Sequence, residues 1–285
     1  MRGWGKVLVL AAAGVLPACP AAAQSLLSSG GLGFPLHAVD ARSRALGSLG
    51  IGLFGPAVLP TDPAAAADLQ LPEVTFTGQH SWVTLQGPAS PEAAGARFPI
   101  IGAAYPVFGQ GVATLTFGGV LDQRWQVELQ RDVELGEESV GVTDTFVSDG
   151  GVSAVRLGFA RRIAPSLAVG VSAGRYTGSV RRTFARSFDS LEVGSPIPPF
   201  TTGGLWSYSG PTVSVGAQLD IGDYFRAAST VTWSGDLKAD PSSDTDGSGA
   251  DFSIPTEYRI GASGALTPSL NLVVGVSHAD WSGAG

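Results

Sequence analysis

Val155-Arg156-Leu157-Gly158-Phe159-Ala160 sets an apolar side chain at every second position, with arginine, glycine and alanine between them. Successive side chains of an extended chain point to opposite faces, so this stretch is a ribbon with one oily face and one small or charged face. The pattern recurs on its C-terminal side. Leu167, Val169, Val171 and Ala173 alternate with Ala168, Gly170, Ser172 and Gly174, and Val213, Val215, Ala217 and Leu219 alternate with Ser214, Gly216, Gln218 and Asp220. Phe225, Ala227, Ser229, Val231 and Trp233 oppose Arg226, Ala228, Thr230 and Thr232. Tyr258, Ile260 and Ala262 oppose Arg259, Gly261 and Ser263, and Leu270, Leu272, Val274 and Val276 close the series.

A soluble sandwich turns the oily faces of such ribbons toward each other, whereas a membrane barrel turns them outward to lipid. Composition favours the membrane. The 285 residues include 40 glycines, only 14% are charged, and the mean hydropathy is +0.22. After residue 23 no run approaches the roughly 20 apolar residues that a spanning helix needs. Strands can cross lipid only when closed into a barrel that leaves no backbone group unpaired. A net charge of -7 without a basic stripe excludes nucleic acid as a partner.

Connection lengths point the same way. Short joins fall at Ala164-Pro165-Ser166, Ile221-Gly222-Asp223 and Thr267-Pro268-Ser269, with a slightly longer one from Pro106 to Gly111. Long polar stretches, 132–150, 187–202 and 239–251, alternate with them, as external loops alternate with periplasmic turns in outer-membrane barrels. The alternation predicts nine strands, over 73–86, 96–106, 111–131, 152–163, 166–183, 205–220, 224–238, 252–266 and 269–281. Trp82, Tyr105, Trp125, Tyr176, Trp206, Tyr208, Tyr224, Trp233 and Tyr258 sit near the ends of these strands, where aromatic rings favour the membrane boundary. Single-chain bacterial barrels have even strand numbers, and the pattern here runs to Trp281 without a terminal aromatic strand. The expectation is a C-terminally incomplete barrel over 73–285.

Residues 1–23 have the form of an export signal: Arg2 and Lys6, an apolar core from Val7 to Leu16, and Ala21-Ala22-Ala23 before the cut. Cleavage there removes Cys19, the single cysteine. The alternative reads Leu16-Pro17-Ala18-Cys19 as a lipoprotein box with Cys19 acylated. Residues 24–72 lack alternation and are rich in Gly, Ala and Pro. Asp62-Pro63-Ala64-Ala65 suggests a short helix with Asp at the N-cap and Pro at its first position. This segment suits either a plug or hatch inside the barrel or a disordered periplasmic tail. The expected architecture is therefore all-β, an antiparallel transmembrane β-barrel of the bacterial outer membrane with an N-terminal plug.

Arg44-Ala45-Leu46-Gly47-Ser48-Leu49-Gly50 followed by Thr61-Asp62-Pro63-Ala64-Ala65 resembles the opening of FadL-type outer-membrane transport proteins, with Asp62 where that family has Asn. Val231-Thr232-Trp233-Ser234-Gly235 and Ala279-Asp280-Trp281-Ser282-Gly283 look like late strands of the same family. The resemblance implies an N-terminal hatch around Asp62, Pro63 and Ala64, a fourteen-stranded barrel, and lateral or lumenal passage of hydrophobic compounds such as fatty acids. Related barrels serve protein secretion, so a scaffold or surface-binding barrel that moves nothing is the rival reading.

Enzyme and cofactor motifs are sparse in the sequence, the alternative being an outer-membrane hydrolase with a Ser and a His on neighbouring strands. His37, His80 and His278 are far apart and none has metal-ligand spacing, and no Gly-x-Ser-x-Gly elbow or phosphate loop occurs in a strand-to-helix setting. Arg156, Arg226 and Arg259 fall in the polar phase of their strands and are expected to line the lumen, while Arg161, Arg162, Arg181, Arg182 and Arg186 lie toward the rims. The three lumenal arginines either attract an anionic substrate or pair with carboxylates such as Asp220 and Glu257 to brace the wall. The run from Asp240 through Asp244, Asp246 and Asp251 offers the hard oxygen ligands that calcium prefers, out of EF-hand order, or is simply a solvated loop.

Overall fold

The computed structural model describes residues 33–84, 92–107, 109, 111–135, 138–188, 198–245, 247–267 and 269–283. Residues 1–23, read above as an export signal, and Cys19 within them lie outside the described residues. Thirteen strands form one antiparallel sheet. They are β1 (Phe34–Pro35), β2 (Glu73–Thr84), β3 (Glu92–Val107), β4 (Gly111–Asp122), β5 (Trp125–Leu135), β6 (Glu138–Ala164) and β7 (Leu167–Phe188). β8 (Phe200–Ile221), β9 (Phe225–Ser234), β10 (Leu237–Pro241), β11 (Ala250–Phe252), β12 (Glu257–Thr267) and β13 (Leu270–Ala279) complete the set. The main path runs β13-β12-β9-β8-β7-β6-β4-β3-β2, so consecutive long strands are neighbours and β2 and β13 form its two ends. Among the described residues no helix is long and apolar enough to cross a membrane.

The alternation read from the sequence fixes the two faces. Leu157, Val171, Val215, Val231, Ile260 and Val276 are exposed on one side, while Arg156, Ser172, Ser214, Thr230, Arg259 and Ser263 are buried on the other. The strand ends that flank the short joins, Val107 and Gly111, Ala164 and Leu167, Ile221 and Phe225, and Thr267 and Leu270, all lie on one rim. Tyr105 and Tyr224 stand exposed near that rim, and Trp233 and Tyr258 toward the opposite one. Tyr176, Tyr208 and Trp206 depart from the expected boundary position. The two tyrosines are buried and Trp206 packs with them around Leu121, Val152, Val180 and Leu237, on the inner side.

Several expected loops are strands. Residues 132–150, expected as a long polar loop, form a hairpin in which Trp125–Leu135 pairs with Glu138–Ser148. The alternation of the sequence runs through it, with Val127, Leu129, Val133 and Leu135 opposing Gln126, Glu128, Gln130, Asp132 and Glu134, but acidic residues crowd the stretch and give it the composition of a solvated loop; Arg131 pairs with Asp144 across it. The single strand expected over 111–131 breaks at Gln123 and Arg124 into β4 and β5. β10 and β11 pair across the stretch expected as a loop at 239–251. Of the stretch 187–202, residues 189–197 lie outside the described residues; β7 runs to Phe188 and β8 begins at Phe200.

Residues 33–72 occupy the inner face. A short helix, α1 (Ala41–Ala45), is capped by the Asp40 carboxylate accepting from Ser43 N–H at 2.7 Å. A six-residue 3-10 helix follows at Pro63–Asp68. Along this segment, Leu36 lies over Gly119, Leu49 over Gly275, Ile51 over Gly261, Val58 over Gly102 and Pro63 over Gly170 and Gly216. One short segment thus touches strands spread along nearly the whole path, which requires the sheet to curl around it.

Candidate functional site

The small residues of the polar phase make this curl possible. A Cβ on Gly170 would stand 2.3 Å from the Pro63 carbonyl, and one on Gly261 would stand 2.6 Å from the Ile51 oxygen. Only glycine lets these backbones meet. The segment is then tied down by polar bonds. Asp62 Oδ2 accepts from Gly52 N–H at 3.1 Å and from Gln218 Nε2 at 2.8 Å, and Ser263 Oγ donates to the Gly52 carbonyl at 2.6 Å. Sequence reasoning placed Asp62 as an N-cap. Its side chain makes no cap bond, because both donors that it serves lie elsewhere; Pro63 and Ala64 are buried beside it.

The three arginines assigned to the interior are all on the inner face, but they divide between two sites. Arg226 belongs to an ionic cluster near the short-join rim. Its Nε donates to Asp220 Oδ1 at 2.6 Å and its Nη1 to the Leu53 carbonyl at 3.1 Å. Arg162 donates to both Asp68 oxygens, at 2.8 and 2.6 Å, and to Asp220 at 2.9 Å. Asp68 ends the 3-10 helix, so this cluster clamps the segment to β6 and β8.

Arg156 and Arg259 come together farther from that rim, around a cavity of about 300 Å³. Leu36, His37, Tyr176, Glu257 and Trp281 contribute to its wall. Arg259 Nη2 donates to Glu257 Oε1 at 2.7 Å and to His37 Nδ1 at 2.9 Å. Arginine has no acceptor, so His37 must accept with an unprotonated Nδ1 and is the neutral imidazole. Burial and the adjacent Arg259 charge hold its pKa below the usual histidine range. Pairing of Arg226 with Asp220 and of Arg259 with Glu257 follows the bracing alternative; Arg156 does not, and its Nε lacks a hydrogen-bond partner.

A notch opens beside this cavity. β3 and β4 pair only from Ile100↔Gly118 to Val107↔Gly111; β6 pairs with the other edge of β4 along its length, and beyond Gly118 the edge that β3 leaves is met by β1 at Leu121 and Asp122. Pro99 stands at the point of separation, where it removes a backbone donor from β3 beside a bulge in the β2–β3 ladder. The opening, about 300 Å³, is walled by Arg97, Phe98, Phe117 and Leu121, and Arg97 bridges it to Asp122 through an ion pair. Leu36 and Gly119 line both notch and cavity, so the Leu36 side chain separates them. Sequence reasoning missed this feature. A proline inside an otherwise alternating strand was the available signal.

Among the described residues no group of three or more His, Cys, Asp or Glu is placed to hold a metal; Asp246, part of the acidic stretch considered for calcium, lies outside them. What fold and site define is an all-β protein with one large antiparallel sheet, one face of which packs against residues 33–72, with a charged cavity between them. No family model matches the chain, and no curated protein or solved structure is significantly similar to it.

Proposed function

We propose that this chain is a bacterial outer-membrane β-barrel, of FadL-like layout, that passes small hydrophobic or amphipathic molecules, with residues 24–72 as its hatch. One observation carries the reading. The exposed face of the sheet is a band of Leu, Val, Ile and Phe, while Arg156, Arg226, Arg259 and a row of Ser and Thr lie buried on the other face among its apolar clusters, an arrangement that suits lipid and not water. The phase is enforced energetically, since an Arg or Lys facing lipid at mid-bilayer costs about 2–4 kcal/mol. Passage, as against a scaffold role, is favoured by the cavity and notch separated by Leu36. A compound entering from the outer rim would meet the cavity first and leave sideways into lipid when the hatch shifts Leu36.

The test is expression of the full-length protein in a bacterium, with membrane fractionation followed by uptake of labelled small amphipathic compounds. Recovery in outer membranes together with faster uptake supports the proposal. Leu36→Ala, which widens the route, should raise uptake further. Recovery as a detergent-free soluble protein removes the barrel, and outer-membrane recovery without altered uptake leaves the scaffold role.

A further inference from the structure

We infer that the cavity is a binding site for a small organic monoanion, a carboxylate on a compact apolar body, with Arg156 receiving the charge. The inference deepens the transport reading by naming a cargo class, and it rests on that reading only for the cargo's onward movement.

A balance of charge leads there. The charged groups lining the cavity are Arg156, Arg259 and Glu257, and His37 is neutral. Arg259 has its counter-charge in Glu257 and also donates to His37, although its Nε has no partner. That leaves one positive charge, on Arg156, whose residue is only 7% exposed. Among the described residues no carboxylate lies within ion-pair distance of Arg156; its guanidinium meets the Tyr176 phenol, itself hydrogen-bonded to Ser234 Oγ, and the Glu257 charge, already paired with Arg259, acts on it only from farther away. An arginine withdrawn from water without a counter-charge is costly, whereas a carboxylate fits its planar fork with two parallel bonds. The site therefore lacks one negative charge and has the geometry to take it.

The remainder of the wall sets the rest of the ligand. Leu36, Val120, Ile254 and Trp281 supply an apolar lining opposite the charge. About 300 Å³ is at the low end for small-molecule sites, room for a single ring or a short branched chain. A divalent anion would overcharge the site, and a neutral analogue would leave Arg156 uncompensated.

Calorimetry on the full chain folded in detergent micelles tests this with benzoate and its neutral isostere benzamide. Benzoate is expected to bind at one site, and benzamide at least tenfold more weakly. Arg156→Gln should weaken benzoate at least tenfold, Arg156→Lys should recover most of the loss, and Arg161→Gln on the outer face should leave binding unchanged. Should Arg156→Gln fail to fold, the lysine variant and the benzamide comparison still decide. Equal affinity for benzoate and benzamide, or no benzoate heat at millimolar concentration, overturns the inference. Benzoate binding without benzoate flux in proteoliposomes upholds this site while removing the transport reading; flux of neutral solutes without benzoate binding does the reverse.

Discussion

Gln218 Nε2 donates to Asp62 Oδ2 at 2.8 Å, joining β8 to the start of the 3-10 helix across 156 positions of sequence. Gly52 N–H uses the same oxygen, so Oδ1 is left buried without a partner. Asp62→Ala should strand both donors, each costing about 1–3 kcal/mol, and Asp62→Asn should cost less because an amide oxygen still accepts. Urea unfolding in detergent checks the order. Burial also pushes the Asp62 carboxyl above the usual carboxylate range, outweighing the bonds from Gly52 and Gln218. Its unfolded pKa, 3.8, is therefore the lower of the two. The stability contributed by the neutral acid is complete below that value and is lost as pH rises through the folded value. Wild-type protein should thus lose stability relative to Asp62→Asn on going upward from about pH 4, and a pH-independent gap would contradict the assignment.

Arg162 joins Asp68 of the 3-10 helix to Asp220 of β8. The three side chains are partly exposed, so screening by water limits the energetic effect. Arg162→Ala is expected to cost about 1 kcal/mol or less globally while loosening the segment locally. Limited proteolysis should detect faster cleavage within residues 33–72, and added salt should make wild type approach the variant.

Gly170 gives a sharper steric test. Gly170→Val drives a branched side chain into the Pro63 carbonyl and should displace the segment or prevent folding, at a cost of at least about 3 kcal/mol. Gly78 has open space where its Cβ would stand, so Gly78→Ala should stay within about 0.5 kcal/mol of wild type. Parallel refolding yields compare the two.

Leu157 is 67% exposed on the outer face. Leu157→Arg should be tolerated if that face meets water and should cost about 2–4 kcal/mol if it meets the bilayer midplane. Folding into lipid vesicles, read by heat-modifiable gel mobility, distinguishes the two environments. Efficient insertion of the variant would count against lipid contact.

How far the sequence was legible follows from where alternation has a physical cause. The phases of β6 to β9, β12 and β13 were readable because each strand has an oily face and a polar one; Arg156, Arg226 and Arg259 took the side expected of them. The β5–β6 pair was not, because its density of acidic side chains reads as a solvated loop even though Val127, Leu129, Val133 and Leu135 keep the two-residue period. Tyr176 and Tyr208 were misread as boundary residues because a phenol can face a packed interior as readily as a membrane surface. The partners of Asp62 were invisible for another reason. Local capping chemistry competes with distant donors, and Gln218 and Gly52 prevailed. The division of the three arginines into two sites depends on which depth each strand assigns them, something periodicity alone does not encode.

His37 and Arg259 meet from positions 222 residues apart. The stretch around His37 is thus held in part by a contact that exists only once the sheet has been built out to β12. Closure of such a long loop is slow. Earlier strands offer residues 33–72 partial purchase through Gly119 and Gly102, and their last fastening waits for the far end of the sheet.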